Sequence, residues 1–121
     1  MSKIKIYTYA NCDTCRRAVK WLRAHGLEFD EQPIRETPPT PAELRAMLAA
    51  QAGEIRRLFN TSGRDYREQK VGEKLPSLSA PAALGLLAQN GNLVKRPFLL
   101  GGTAALVGFD EKTWAAALLI K

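Results

Sequence analysis

From Lys3 to Tyr9 the chain alternates, Ile4, Ile6 and Thr8 opposing Lys3, Lys5, Tyr7 and Tyr9, and its β-branched and aromatic content predicts a strand. The period then lengthens. Between about Asp13 and His25, Cys15, Ala18, Val19 and Leu22 recur on one face of a helix, while Arg16, Lys20 and Arg23 share the opposite face. Gly26 ends that helix as its C-terminal cap residue. Leu27 to Ile34 predicts a second strand, with Leu27, Phe29 and Ile34 inward. Strand, helix and strand joined by short links make a βαβ unit, parallel and right-handed.

The stretch from Arg35 to Pro41 holds three prolines and predicts a stiff connector rather than a domain linker. Thr40 is placed to cap a helix, Pro41 to occupy its first turn, and Glu43 to complete a capping box; Leu44, Met47 and Leu48 would form its buried face. After Gly53 a short helix carries Ile55, Leu58 and Phe59, and Asn60 to Gly63 breaks it. Arg64 to Lys74 is polar with little apolar periodicity, yet it is expected to be ordered. Ser79 caps a helix to about Gln89, with Leu84, Leu87 and Ala88 inward and Gly91 beyond its end. Two apolar runs, Leu93–Leu100 and Thr103–Val107, flank Gly101-Gly102 and predict a hairpin in which Pro97 favours an edge position for the first strand. Asp110 caps the last helix, where Trp114, Ala117, Leu118 and Ile120 would supply core contacts. The sum is one α/β domain over residues 1–121, with a four-stranded mixed sheet and a helical insertion at about 40–91.

At 121 residues the chain is long enough for a core that needs no staples. Its composition, 45% hydrophobic and 25% charged, is that of an ordinary globular protein. No apolar run is long enough to span a bilayer, and no signal peptide precedes Lys3, so the expected location is the cytoplasm and no membrane partner is expected. The net charge of +6 suits an anionic partner such as a phosphate-like oxyanion or the carboxylates of glutathione. No arginine-rich tail or aromatic-basic stripe points to direct nucleic-acid binding.

The chain has two cysteines, Cys12 and Cys15, at the junction of the first strand and helix. In a reducing compartment a Cys-x-x-Cys pair is redox or metal chemistry more often than a staple. Cys12 falls at the helix N-terminus, where free backbone N–H groups and the helix dipole favour a thiolate, and Arg16 and Arg17 add positive charge one turn on. Asp13 opposes that effect. Cys12 is therefore the candidate nucleophile, and Cys15, one turn inside, the resolving thiol. The alternatives are an inert buried pair and a metal site. A zinc site needs four ligands, and two cysteines with His25 far along the same helix do not supply them, so no metal is expected.

The element order, with Cys-x-x-Cys opening the first helix and a proline opening the third strand, resembles the thioredoxin (glutaredoxin-like) fold. The resemblance implies that Pro97 is a cis-proline facing the active cysteine. Asn11-Cys12-Asp13-Thr14-Cys15, Glu36-Thr37-Pro38-Pro39-Thr40, Leu58 to Gly63 with Tyr66-Arg67-Glu68, Lys95-Arg96-Pro97 and Val107-Gly108-Phe109 together resemble the ArsC/Spx family across essentially the whole chain. That family includes glutaredoxin-coupled arsenate reductases, Spx-type transcription regulators and uncharacterised YffB-like proteins.

What the resemblance implies for the site is mixed. In the reductases one cysteine, here Cys12, attacks arsenate while three arginines hold the oxyanion. Arg96 matches one. The second falls at Asn60 and the third near Val107-Gly108, where there is no charge. Losing two charge-assisted contacts of about 1.5–3 kcal/mol each weakens arsenate binding by orders of magnitude. Cys15 also points away from the reductases. The expected function is thiol–disulfide oxidation and reduction, with Cys12, Cys15 and Arg96 catalytic and Asn11, Thr14, Asn60, Lys95 and Pro97 around the substrate. No bound cofactor is expected; glutathione or a glutaredoxin or thioredoxin system would supply electrons. The alternatives, in order, are a redox-sensing regulator that binds RNA polymerase and an arsenate reductase.

Overall fold

A computed structural model describes residues 4–119. Its sheet contains β1 (Ile4–Thr8), β2 (Phe29–Pro33), β3 (Phe98–Gly101) and β4 (Ala104–Val107) in the order β2-β1-β3-β4. β1 runs parallel to β2 and antiparallel to β3, and β3 runs antiparallel to β4. Helix α1 (Asp13–Ala24) links the first two strands, and α2 (Pro41–Ala50) follows β2. The polar stretch 64–74 is ordered into α3 (Arg64–Glu68) and α4 (Val71–Lys74), anchored by buried Tyr66 and Val71. Helices α5 (Ala80–Gln89) and α6 (Glu111–Leu118) complete a thioredoxin-like α/β fold.

Alternation along the strands sorts their side chains into two cores. Ile6, Leu99 and Leu106 pack on one face with Ala18, Val19, Trp21 and Leu22 of α1 and Trp114 of α6. Tyr7 and Phe98 pack on the other, with Ile34, Leu44, Met47 and Leu87. Trp21 and Trp114 meet edge to face at 6.1 Å in the first core. β1 is thus not half-solvated as its alternation suggests, because Ile6, Tyr7 and Thr8 are all buried. Tyr7 enters the second core with its hydroxyl donating a hydrogen bond to Glu43 Oε1 at 2.6 Å.

That bond ties the N-terminus of α2 to the sheet. The capping box forms as expected, Thr40 Oγ1 accepting from the Glu43 N–H at 3.2 Å and Glu43 Oε1 from the Thr40 N–H at 2.9 Å. Glu43 also receives Lys5 Nζ at 3.1 Å. Burial alone would raise the Glu43 carboxyl, but the hydrogen bonds from Tyr7, Thr40 and Lys5 hold it below the usual range.

Four expectations change. β3 begins after Pro97 and lies inside the sheet, since a residue without an N–H cannot join the ladder and the strand starts on the next one. Leu93 and Val94 are buried outside the strand, in and just after a 3₁₀ turn (Gly91–Leu93), and Val94 bridges Phe59. In α5 the buried residues are Ala83 and Leu87, with Leu84 and Ala88 half-covered. In α6 Trp114 is buried but Ala117 is exposed; Ile120 lies outside the described residues. Among the described residues no helix is long and apolar enough to cross a membrane.

Two glycines separate local propensity from packing. A Cβ on Gly91 would stand 1.8 Å from the Ile34 carbonyl oxygen, whereas one on Gly85, inside α5, would meet nothing within 4 Å. Gly91→Ala should therefore lower unfolding free energy by about 3 kcal/mol or more, while Gly85→Ala should raise it by about 0.5–1 kcal/mol. Urea denaturation of the two variants checks both signs.

Candidate active site

Cys12 is the N-cap of α1, and its backbone N–H donates to the Tyr9 carbonyl at 3.0 Å. Its sulfur accepts the Cys15 backbone N–H at 3.2 Å. One unpaired helix donor is thereby aimed at the Cys12 sulfur. Cys15 sits on the inward face of the first turn, 1% exposed against the half-buried Cys12. Burial pushes the Cys15 thiol up to about 12, reinforced by hydrogen bonding with Cys12, while hydrogen bonding with the Tyr9 backbone and the Arg96 charge act the other way. Both sulfurs are free thiols.

The charge expected from the next turn is partly spent. Asp13 approaches Arg16 at 3.7 Å and Arg17 at 3.4 Å, all well exposed, and such pairs are worth little. Arg16 also donates to the Ala10 carbonyl at 2.6 Å, closing the loop that leads into the helix. A cleft of about 380 Å³ between β1 and α1 has Cys15, Tyr9 and Val19 in its wall and Arg16 and Lys20 on its rim.

Arg96 and Pro97 arrive from the other half of the chain. Their peptide bond is cis, and the Pro97 carbonyl accepts the Gly108 N–H at 2.9 Å. The Arg96 guanidinium carbon lies 5.1 Å from the centroid of the Tyr9 ring, and Arg96 Nη1 is buried with no partner among the described residues. Asn11 turns toward the same ring, its Nδ2 at 3.4 Å from the Tyr9 hydroxyl. Thr14 is half-buried in the first turn of α1.

Two expected site residues lie elsewhere. Lys95 lines a second cleft of about 490 Å³ with Arg56, Arg57, Thr61 and Val107, whereas Arg96 lines the one beside Tyr9. The Asn60 amide is turned in on its own loop, where a Cβ on Gly63 would meet its Nδ2 at 2.5 Å. The arginine missing at position 60 is thus not replaced by Arg56 or Arg57 near Arg96. Of the basic residues that could compensate, Arg56, Arg57, Arg64 and Lys95, the structure brings Arg64 to the cleft of Arg96, about 210 Å³ in volume. Sequence reasoning missed Tyr9, Arg35, Asp65 and Asn92, which share it. The polarity of 64–74 was a signal for Asp65; nothing in the sequence pointed to the other three.

A family model, the ArsC family, matches residues 7–117. The chain belongs to this family. Its sequence is 42% identical over 116 residues to the uncharacterized protein YusI of Bacillus subtilis, covering 93% of this chain and 98% of that one. The global transcriptional regulator Spx of Enterococcus faecalis is 30% identical over 108 residues, covering 89% of this chain and 80% of Spx. The crystal structure of an ArsC family related protein from Bacteroides fragilis superposes with a TM-score of 0.89 at 36% identity, covering 95% of this chain and 97% of that one.

The raised Cys15 thiol has a consequence for stability. Between its ordinary value near 9 and the folded value near 12 the native chain keeps a proton that the unfolded chain has lost, so stability falls as pH rises through that window and is unaffected below it. Urea unfolding under reductant at pH 7, 8.5 and 10 should show this fall at pH 10. Cys15→Ala should flatten it, while the alkaline contributions of Lys5 and Tyr7, both also raised, remain in both proteins.

Proposed function

We propose that this chain is a cytoplasmic thiol–disulfide oxidoreductase in which Cys12 attacks and Cys15 resolves. The observation that carries the reading is the division of labour within one helical turn. Cys12 stands at the helix N-cap with a backbone N–H on its sulfur, and Cys15 is buried behind it. The Cys12 thiolate attacks one sulfur of a substrate disulfide, that S–S bond breaks, and the second sulfur leaves as a thiolate that takes up a proton. The mixed disulfide removes the negative charge from Cys12, and with it one of the influences that hold the Cys15 proton. Cys15 then loses its proton and attacks Cys12, forming the internal disulfide and releasing the substrate thiol. Two electrons from glutathione, or from a dithiol protein of the glutaredoxin or thioredoxin type, return the pair to its reduced state. Arg96, with the helix N-terminus, is assigned to thiolate and substrate stabilisation.

A second reading is favoured by the 30% identity with Spx. In it the same pair is the redox switch of a transcription regulator whose partner is RNA polymerase. Recovery of the polymerase α-subunit on the immobilised chain in one redox state only would support it, and recovery in neither state would exclude it. Arsenate reduction lacks charge at Asn60 and Val107 themselves, and the arginines that line the cleft beside Val107, Arg56 and Arg57, do not share a cleft with Arg96.

The oxidoreductase reading is tested in a glutathione-coupled disulfide assay. Cys12→Ser should lower turnover by at least about a hundredfold, to background. Cys15→Ser should instead accumulate a mixed disulfide, seen by mass spectrometry as the chain plus one substrate thiol. Full turnover by Cys12→Ser would end the reading.

A further inference from the structure

We propose that Arg35 and Arg96, both against the Tyr9 ring, with the Tyr9 hydroxyl beside Arg35 and Arg64 at the mouth, form a binding site for an oxygen anion, and that the anion is a carboxylate of the small thiol or disulfide substrate. The site is the cleft of about 210 Å³ lined by Tyr9, Arg35, Arg64, Asp65, Asn92 and Arg96. Its position relative to the reacting sulfur rests on the oxidoreductase reading; the anion site itself does not.

Charge is the first argument. The guanidinium carbons of Arg35 and Arg96 each lie 5.1 Å from the Tyr9 ring centroid, so two like charges are gathered on one aromatic ring. Among the described residues neither has a carboxylate within ion-pairing distance, unlike Arg16, Arg17 and Arg64. Two guanidiniums without ion-pair partners in the lining of one cleft repel one another, and an anion in that cleft relieves the repulsion. Asp65 is the one carboxylate in the lining; it accepts from Asn90 Nδ2 at 3.0 Å and Asn92 Nδ2 at 3.2 Å, and those bonds, with the charges of Arg35 and Arg64, hold it ionised, so it offsets only one of the three arginine charges of the cleft. Arg64 is exposed and leans toward Glu68 at 3.9 Å, so its contribution is at the rim.

Unmet donors are the second. Arg96 Nη1 is buried without a partner, a costly state for a charged donor that has not been given its acceptor. The Tyr9 hydroxyl accepts from Arg35 Nη1 at 3.0 Å and from Asn11 Nδ2 at 3.4 Å. With both lone pairs so used, its own proton is left to donate. The cleft therefore presents a guanidinium fork, a second guanidinium and an O–H, all donors, which is the complement of a carboxylate or a small oxyanion.

Adjacency to the chemistry selects the carboxylate. Tyr9 lies in the walls of both this cleft and the one that contains Cys15, and its carbonyl holds the Cys12 N–H. A substrate whose sulfur meets Cys12 and whose carboxylate lies a few bonds away reaches both. The cleft is too small for a protein and sized for one end of such a molecule.

Binding separates this from the redox reading, because it can be measured with the reacting sulfur removed. In the full chain carrying Cys12→Ser, S-methylglutathione (two carboxylates, no free thiol) and inorganic phosphate would each be titrated by calorimetry or amide chemical shifts. S-methylglutathione should bind, Arg35→Gln should weaken it by about tenfold or more, and Arg57→Gln, in the other basic cleft, should leave it unchanged. The same dependence with phosphate but not with S-methylglutathione would keep the anion site and overturn the carboxylate as its ligand. No binding of either probe at millimolar concentration, binding that survives Arg35→Gln, or equal weakening by Arg57→Gln would overturn the site.

Discussion

The structure depends on a strand with no solvent face. Ile6 and Tyr7 are consecutive, and the two-residue period sends them into different cores, so β1 can shift by neither one residue nor a flip without emptying both. That fixes where the strand ends. Beyond Thr8 the chain must leave the sheet, and within four residues it turns through Tyr9 and Ala10 into the N-cap of α1. The carboxyl end of a central strand and the amino end of a helix then coincide, and Cys12 stands at their junction. Tyr7 adds a second restraint through Glu43, which couples the register of β1 to the seat of α2.

The two thiols show how much one helical turn can do. They are three residues apart, share a local electrostatic field and touch through a backbone hydrogen bond. Yet one is half-exposed with a donor on its sulfur and the other is in the core. Burial is the largest influence on the Cys15 thiol, so solvation alone makes the two unequal. Arg96, from the far half of the chain, acts on Cys15 from outside the helix through its charge.

Features set by near neighbours in the chain were the legible ones. The N-cap at Cys12, the capping box at Thr40 and Glu43 and the C-terminal Gly26 are local patterns with local causes, and each is present. The α/β class followed from the order of periods, and the family motifs from their order along the chain. Features set by tertiary contact were not. Tyr7 reads as the polar side of an alternating strand until Glu43 accepts its hydrogen bond. Lys95 and Arg96 are neighbours in sequence, but the fold sends them to separate clefts. Arg35 and Tyr9 are 26 residues apart in sequence and meet only because β1 and β2 are parallel neighbours. No periodicity reports such a meeting.

The aromatic packing described above also determines what light can see of this molecule. Its two tryptophans, Trp21 and Trp114, lie in one core, edge to face, with Phe109 against both and His25 stacked on Trp21. The core beneath α2 and α5 contains tyrosine and phenylalanine but no tryptophan. Tryptophan emission is therefore a one-sided reporter. It follows the layer in which α1 carries Cys15 and is blind to loosening of the helical half, whose opening has to be read from the backbone or from tyrosine.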